Sequence, residues 1–335
     1  MAVIGYGYWG PNLVRNFTTC AATQVISVVD RDEGRRAAAR TLYPWLATHA
    51  DAAQVLSDPN IDAVAIATPT AAHHPLARAA LEAGKHVLIE KPLASSVAQA
   101  EELVALAKER GRILMVDHTF VFTGAVRKIK EYIDAGTLGR VLYFDSVRVN
   151  LGLFQPDSNV IWDLAPHDLS ILDFVLGRTP RWVSALGARH YGQNENLAYM
   201  TVGFDDDLLA HFHFNWVAPV KVRRIMIGGT QRMLVYDDTE PSEKIRLYDS
   251  GVTVQNQPNL EREKAYNLLV QYRTGDVLAP RLDGTEALRR VVESFAHAVH
   301  TGTAPITDGH AGVRVVQLLE AAQESLRQDS AKIKL

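Results

Sequence analysis

The spacing of three glycines near the start of the chain limits the folds that the chain can adopt. Gly5, Gly7 and Gly10 of "GYGYWG" follow a short apolar run, and Pro11 comes directly after them. In this G-x-G-x-x-G pattern the first glycine permits a tight turn, the second lets a pyrophosphate approach the backbone, and the third allows close helix packing. Pro11 suits the first turn of a helix. The pattern favours a Rossmann-type, dinucleotide-binding domain over a glycine-rich turn in another α/β domain.

An acidic residue ends the second apolar run, "QVISVVD". Asp30 lies about 20 residues beyond Gly10, where a carboxylate bonds the ribose 2′-hydroxyl of NAD. Arg31 follows directly, and an arginine there accommodates the 2′-phosphate of NADP. We therefore predict NAD as the cofactor and keep NADP as the alternative. The first strand is short for its type, so the sequence leaves open whether residues precede Met1.

The two halves of the chain have different sequence patterns. Up to about residue 116, short β-rich runs alternate with Ala-rich helical segments, which is typical of βαβ units on a parallel sheet. Gly84 and Gly111 each follow a helical segment and precede a strand, as helix-ending glycines do. Beyond about residue 118, strand-like runs succeed one another, which indicates a large, mostly antiparallel open sheet. We predict an α/β Rossmann domain over 1–117 and an α+β substrate-binding and oligomerisation domain over 118–335.

The end of the second half carries further helices. Two closing segments, near residues 288–299 and 315–326, place their apolar residues on one helical face. We expect these helices to pack on a sheet or back on the first domain. Residues 255–283 are the least regular part, and we expect a loop over a site or at a subunit contact there.

Composition narrows the class of partner. A chain of 335 residues is long enough for about two domains, and its net charge of −3 gives no reason to expect nucleic acid or an anionic membrane. Cys20 is the lone cysteine, which excludes an internal disulfide and a cysteine-based zinc site. The chain has no apolar run near the roughly 20 residues of a membrane span, and its start lacks the features of a secretory signal. We predict a small-molecule partner and a cytoplasmic location.

Two groups of residues have the chemistry of acid–base catalysis. Lys91 follows a buried strand that ends at Glu90, and strand ends of a parallel sheet border the ligand crevice. The alternative is a surface lysine paired with Glu90. In "WDLAPHDL", Asp163 is expected to cap a helix, with Pro166 in its first turn and His167 on the same face as Asp163. The alternative is a structural histidine beside a capping aspartate.

A paired-histidine motif raises the question of a metal. His211 and His213 of "HFHF" share one face of a predicted strand, but no third ligand stands nearby in the sequence. We predict no metal site and expect these side chains on a polar sheet face or at a subunit contact. Phe212, Phe214 and Trp216 alternate with them and are expected in the core.

Three motifs together resemble the Gfo/Idh/MocA family, the glucose–fructose oxidoreductase and inositol dehydrogenase group. They are "GYGYWG", the stretch over residues 61–94, and "DLAPH". The resemblance extends over nearly the whole chain, and it is most specific in E-K-P at 90–92 and D-x-x-x-H at 163–167. It implies that Lys91, Asp163 and His167 meet over the nicotinamide. Family members often hold the bond before the E-K-P proline cis.

The resemblance also implies roles for these residues. His167 is then the general base in oxidation and general acid in reduction, Lys91 steadies the developing alkoxide, and Asp163 is an orienting acceptor. The family commonly has Asn where this chain has Thr70, which puts one cofactor contact in doubt. His118 and Arg148 are candidates for substrate contact. The residues expected to border the cofactor are Gly5, Gly7, Tyr8, Trp9, Gly10, Asp30, Arg31, Thr68, Pro69, Thr70, His73, Glu90 and Lys91.

The function expected from the resemblance is hydride transfer between nicotinamide and a secondary alcohol of a sugar, nucleotide-sugar or cyclic polyol. One alternative is a glycosidase that uses bound NAD for transient oxidation followed by elimination. Another is an NAD-binding sugar sensor without turnover, although a sensor need not keep Lys91, Asp163 and His167. We expect a homodimer or homotetramer formed through the open face of the second-domain sheet.

Overall fold

The chain folds into two compact units. The computed structural model describes residues 1–152, 154, 158–254 and 270–335. The first unit comprises Met1–Thr123, Leu169–Asp173 and Gly284–Glu320, and the second comprises Gly124–Asp168, Phe174–Asp283 and Ala321–Leu335. The domain boundary predicted at 117/118 stays a prediction.

A parallel sheet forms the centre of the first unit. Its strands are β1 (Ala2–Ile4), β2 (Ser27–Val29), β3 (Ala47–His49), β4 (Ala63–Ile66), β5 (His86–Glu90) and β6 (Leu114–Asp117). They lie in the order β3-β2-β1-β4-β5-β6, and all neighbours are parallel. The strand order reverses between β1 and β4, which is the point where doubly wound sheets bind ligands, outside the carboxyl ends of their strands.

The described residues include nine α-helices. They are α1 (Gly10–Thr19), α2 (Glu33–Leu42), α3 (Ala53–Leu56), α4 (His73–Glu82), α5 (Val97–Glu109), α6 (Gly124–Asp134), α7 (Val160–Leu176), α8 (Ala287–Thr301) and α9 (Gly309–Arg327). Gly84 and Gly111, just after α4 and α5, have φ angles of +74° and +62°, so their predicted helix-ending role is confirmed. α8 packs on α1 through Phe17 and Phe295, whose ring centres lie 6.1 Å apart.

A large mixed sheet forms the centre of the second unit. Its strands are β7 (Val141–Leu151), β8 (Trp182–Ala188), β9 (Leu197–Gly203), β10 (Leu209–Asn215), β11 (Val217–Gly229), β12 (Met233–Asp237), β13 (Ile245–Tyr248), β16 (Val277–Leu278) and β17 (Ile333–Lys334). Their order is β16-β13-β12-β11-β7-β10-β9-β8-β17. β7 and β10 are parallel, whereas the other neighbours are antiparallel, so the predicted fold class is confirmed.

The two faces of this sheet differ in burial. Phe212, Phe214 and Trp216 are buried, as predicted, because successive side chains of a strand point to opposite faces. His211 and His213, on the other face of β10, are exposed and half-buried. Within the segment expected to be least regular, residues 255–269 lie outside the described residues. β14 (Gly251–Val254) and β15 (Val270–Arg273) flank them as an antiparallel pair.

No helix among the described residues combines the length and apolarity that spanning a bilayer requires.

Candidate active site

The glycine loop between β1 and α1 has the geometry of a dinucleotide cradle. Gly5 has φ +96°, and a Cβ atom there would lie 2.4 Å from the Ala67 carbonyl oxygen. A Cβ atom on Gly10 would lie 2.1 Å from the Gly5 carbonyl oxygen, so glycine lets α1 begin this close to the loop. At the start of α1, no described side chain caps the amides, and the first turn holds no acidic residue. Such a helix start favours an anion, so these residues fit a pyrophosphate.

The carboxylate of Asp30 is held beside this loop. Its oxygens accept hydrogen bonds from the backbone amides of Tyr6 at 2.7 Å and Asp32 at 2.9 Å, and its side chain is 6% exposed. Each carboxylate oxygen can accept a further bond, so Asp30 fits a ribose hydroxyl. Nη1 of Arg35 lies 3.5 Å from Asp30 Oδ2, and Arg31 is exposed next to it. An acidic side chain, which suits the ribose hydroxyl of NAD, and basic side chains, which suit the 2′-phosphate of NADP, therefore lie at the same place.

The predicted residues after β4 form a connected loop. Pro69 precedes a 3₁₀ turn over Thr70–Ala72. His73, which begins α4, has Nε2 2.8 Å from the Thr68 carbonyl oxygen and Nδ1 2.8 Å from the Pro92 carbonyl oxygen. Burial lowers the pKa of His73, whereas the two carbonyl oxygens, which can only accept hydrogen bonds, favour the doubly protonated ring. His73 thus ties the loop after β4 to the E-K-P turn.

The ends of β5 and β6 carry a buried carboxyl pair that the sequence interpretation missed. Glu90 and Asp117 are register partners on these neighbouring strands. Asp117 accepts hydrogen bonds from Thr119 Oγ1 at 2.7 Å and, more weakly, from Trp9 Nε1 at 3.4 Å. Burial raises the pKa of Glu90 well above its usual value, the nearby Asp117 raises it further, and burial also raises the pKa of Asp117. The available signal was an acidic residue at the end of "RILMVD", the run that follows "HVLIE".

Several buried polar atoms at the carboxyl ends of β4, β5 and β6 have no hydrogen-bond partner among the described residues. They include Oγ1 of Thr68, Oε1 of Glu90 and both ring nitrogens of His118. His118 is 2% exposed, and burial, with the nearby Lys91 and Arg314 charges, lowers its pKa to about 3. Its imidazole is therefore neutral at neutral pH. Buried polar atoms without partners are uncommon, so these atoms fit an edge that receives a polar ligand.

Lys91 lies directly after the strand end, as predicted. It is half-buried, and the Lys91–Pro92 bond is cis. Tyr8, by contrast, is almost fully exposed, and its ring stacks on Trp9 with centres 6.2 Å apart. Lys91 belongs to the first unit, whereas Asp163 and His167 belong to the second, so their action as one set stays a prediction.

The start of α7 differs from the prediction. The helix begins at Val160, and the side-chain oxygen of Asn159 accepts hydrogen bonds from two amides of the first turn. Asp163 is therefore not the N-cap, and Pro166 lies inside the helix. The predicted cap was wrong because Asn159, four residues earlier, satisfies the helix-start amides. Asp163 and His167 still share a helix face, since they are four residues apart.

A tryptophan holds the carboxylate of Asp163. Trp216 Nε1 donates a hydrogen bond to Asp163 Oδ2 at 3.0 Å. The Trp216 backbone is fixed on both sides, because its amide donates to the Asn196 carbonyl and its carbonyl accepts from the Gly152 amide, each at 2.9 Å. A Cβ atom on Gly152 would lie 2.6 Å from the indole. The position of Asp163 is thus set by a rigid neighbour that the sequence interpretation treated only as core.

Arg148 lies in a buried ion pair that was not predicted. Its guanidinium donates to Asp168 through Nε at 2.7 Å and Nη2 at 2.9 Å. Arg148 is 3% exposed and Asp168 is 1% exposed. Arg148 links β7 to α7 in this buried ion pair, and its partner directly follows His167 in the chain, while its contact with substrate stays a prediction.

The histidine pair of β10 lies on the outer sheet face. Tyr199 stacks on His213 with ring centres 4.6 Å apart, and His211 bonds Thr201. Within the described part of the chain, no cluster of three or more His, Cys, Asp or Glu side chains could hold a metal ion.

Comparisons with known proteins point to one family in both halves of the chain. Residues 1–118 match the model described as "Oxidoreductase family, NAD-binding Rossmann fold", and residues 126–235 match "GFO/IDH/MocA C-terminal domain". The chain is 34% identical to "Uncharacterized oxidoreductase YdgJ" of Escherichia coli K12, over 73% of this chain and 72% of that protein.

Two further proteins are similar over nearly their full lengths. UDP-N-acetylglucosamine 3-dehydrogenase of Acidithiobacillus ferrooxidans is 28% identical over 94% of this chain and 93% of its own length. A crystal structure of a protein from Magnetospirillum magnetotacticum MS-1 is 29% identical, has a TM-score of 0.81, and matches over 96% of this chain and 98% of that one.

Proposed function

This chain belongs to the Gfo/Idh/MocA family of oxidoreductases, and on that premise we propose that it is an NAD(P)-dependent dehydrogenase or ketoreductase. Its substrate in this proposal is a secondary alcohol of a sugar, nucleotide-sugar or cyclic polyol. The observation that carries the proposal is the edge at which the glycine loop, the loop after β4 and the E-K-P turn come together. His73 bonds two of these segments, and Trp9 of the glycine loop bonds Asp117 beside Glu90.

Cofactor recognition follows from the residues of the first unit. The start of α1 is proposed to hold the pyrophosphate, and Asp30 the adenosine ribose. We propose NAD as the preferred cofactor because the Asp30 carboxylate is held in place by two amides and would repel a 2′-phosphate. Arg31 and Arg35 leave NADP as a second cofactor. When bound, the nicotinamide supplies or accepts the hydride.

The acid–base roles are proposed for three side chains. Lys91 donates to the alcohol oxygen and stabilises negative charge that develops on it. His167 takes the hydroxyl proton in oxidation and returns it in reduction. Asp163 is an acceptor that orients its neighbours, and the bond from Trp216 keeps its carboxylate in one position.

One relative that is similar over nearly its whole length supports the carbohydrate proposal. That protein is named for a dehydrogenase acting on carbon 3 of UDP-N-acetylglucosamine, and it and this chain match over more than nine-tenths of both. We therefore place nucleotide-sugars first among the substrate classes, followed by free sugars and cyclic polyols.

A substrate panel tests the proposal. Polyols, sugars and nucleotide-sugars are each incubated with NAD and with NADP, and the nicotinamide absorbance is followed. We expect one class to give stoichiometric reduced cofactor. Release of an aglycone without reduced cofactor would instead identify the glycosidase alternative.

Two variants test the acid–base roles on the best substrate. Lys91→Ala and His167→Ala should each lower kcat by at least about a hundredfold, because general acid–base catalysis contributes that much. Lys108→Ala and His297→Ala change exposed residues of α5 and α8 and serve as matched controls. Parent-like turnover by both test variants would show that the assignment is wrong.

The assembly is proposed to form through the outer face of the large sheet. Leu186, Tyr199 and His213 lie side by side there on β8, β9 and β10, and the leucine and tyrosine are exposed. Exposed apolar residues on adjacent strands are typical of a subunit contact. Light scattering after gel filtration should show a dimer or tetramer, and Leu186→Glu should shift it toward the monomer. A monomeric parent would contradict this proposal.

A further inference from the structure

The carboxyl pair of Glu90 and Asp117 has a physical property that the proposed roles do not use. The two side chains end neighbouring strands, and burial raises the pKa of both. Two carboxylates that share a buried site repel one another when both are ionised, so the pair keeps one proton to a higher pH than a lone exposed carboxyl does. This property makes the pair a candidate holder of a proton beside the E-K-P turn.

We propose that the Glu90–Asp117 pair is a proton-holding site that loses its proton when oxidised cofactor binds and regains it when the cofactor is reduced. The proposal rests on the proposed function, which puts the nicotinamide beside Lys91. The oxidised nicotinamide ring carries a positive charge and the reduced ring carries none. A positive charge near the pair favours its fully ionised form, and the neutral ring removes that preference.

The groups that face the pair support a single exchangeable proton. The Lys91 ammonium favours ionisation of both carboxyls, although less than burial opposes it. Trp9 and Thr119 donate to Asp117 and also favour its ionised form. His118 is adjacent in the chain but stays neutral, because burial lowers its pKa to about 3, with smaller effects of Lys91 and Arg314. Whether the pair holds its proton thus depends on the two carboxyl groups themselves, on Lys91 and on the charge of the cofactor.

The proton count of the reaction closes with this site. Oxidation of a secondary alcohol yields a ketone, a hydride transferred to the cofactor, and one proton from the hydroxyl. The proton that His167 takes from the hydroxyl passes to solvent, and the pair, doubly ionised beside the positive ring, takes up one solvent proton once that charge is gone. One proton is thereby held on the pair while the reduced cofactor leaves, until oxidised NAD binds again.

Calorimetry of cofactor binding tests the proposal without turnover. Titrations of NAD and NADH near neutral pH, in buffers of different ionisation enthalpy, give the protons exchanged per cofactor bound. We expect oxidised NAD to release a larger fraction of a proton than NADH. Because its binding releases protons, its affinity should rise with pH, by at most about tenfold per pH unit, while that of NADH changes less.

Isosteric variants locate the proton. Glu90→Gln/Asp117→Asn has no carboxyl at the site, so both cofactors should exchange equal numbers of protons on binding. Asp62→Asn is the matched control. Asp62 is an exposed acid that precedes β4, at the amino ends of the strands, whereas Glu90 and Asp117 lie at the carboxyl ends. This control should keep the difference between the two cofactors.

Infrared difference spectra give a second readout that does not depend on the variants' folding. Adding oxidised NAD to the parent should remove a protonated-carboxyl stretching band, whereas adding NADH should leave it. Equal proton exchange and equal spectra for the two cofactors in the parent would overturn the inference. Failure of the parent to bind either cofactor would instead overturn the proposed function.

Discussion

The buried ion pair between Arg148 and Asp168 gives a stability prediction with a defined magnitude. Asp168→Asn keeps the shape of the side chain but removes the charge that compensates the buried guanidinium, which is 3% exposed. Removal of one partner of a buried ion pair lowers the stability of the fold by about 3–5 kcal/mol, because the remaining charge is buried without a counter-charge or water. We expect the free energy of unfolding of the second unit to fall by that amount.

Urea denaturation followed by circular dichroism and tryptophan fluorescence measures this loss. The matched control is Asp205→Asn in the same unit, because Asp205 also makes a bidentate pair, with Arg181, but both side chains are 57% exposed. Its loss should be much smaller, since water solvates the freed charge. The apolar double variant Arg148→Met/Asp168→Leu should regain most of the lost stability. Equal losses for the two single variants would refute the reasoning.

Two other substitutions test the site. Gly10→Ala would put a methyl carbon 2.1 Å from the Gly5 carbonyl oxygen, so we expect loss of NAD binding by calorimetry, while retained affinity would contradict the cradle. Trp216→Phe removes the N–H that bonds Asp163 and should lower kcat by about tenfold or more, with little change in cofactor affinity. Trp182→Phe, on the edge-proximal strand β8, is its control, and equal kcat values for the two variants would show that the bond has no catalytic role.

Local signals in the sequence were enough to predict the elements of the fold. The helix-ending glycines have positive φ angles, because only the left-handed conformation turns the chain from α4 and α5 into the next strands. The alternation of Phe212, Phe214 and Trp216 predicted a buried face, since the period of a strand is fixed by its geometry. The helix start was misplaced because two residues, Asn159 and Asp163, both have the chemistry of an N-cap.

Features of the site that depend on tertiary partners could not be predicted in the same way. The ion pair of Arg148 was not predicted, because its partner lies 20 residues away on a helix and the sequence does not show that the two meet. The pairing of Glu90 with Asp117 needs the register of two strands separated by α5. The sequence predicted that reactive side chains lie at the ends of the parallel strands. It did not predict which of these side chains contact one another.

The most direct test of the central claim is the fate of a labelled hydrogen. The best substrate is prepared with deuterium on the carbinol carbon and incubated with oxidised NAD, and the reduced cofactor is analysed by mass spectrometry and NMR. The account predicts that one deuterium per turnover appears at C4 of the nicotinamide, on a single face. Deuterium found in the solvent, or product formed while the cofactor gains none, would contradict it.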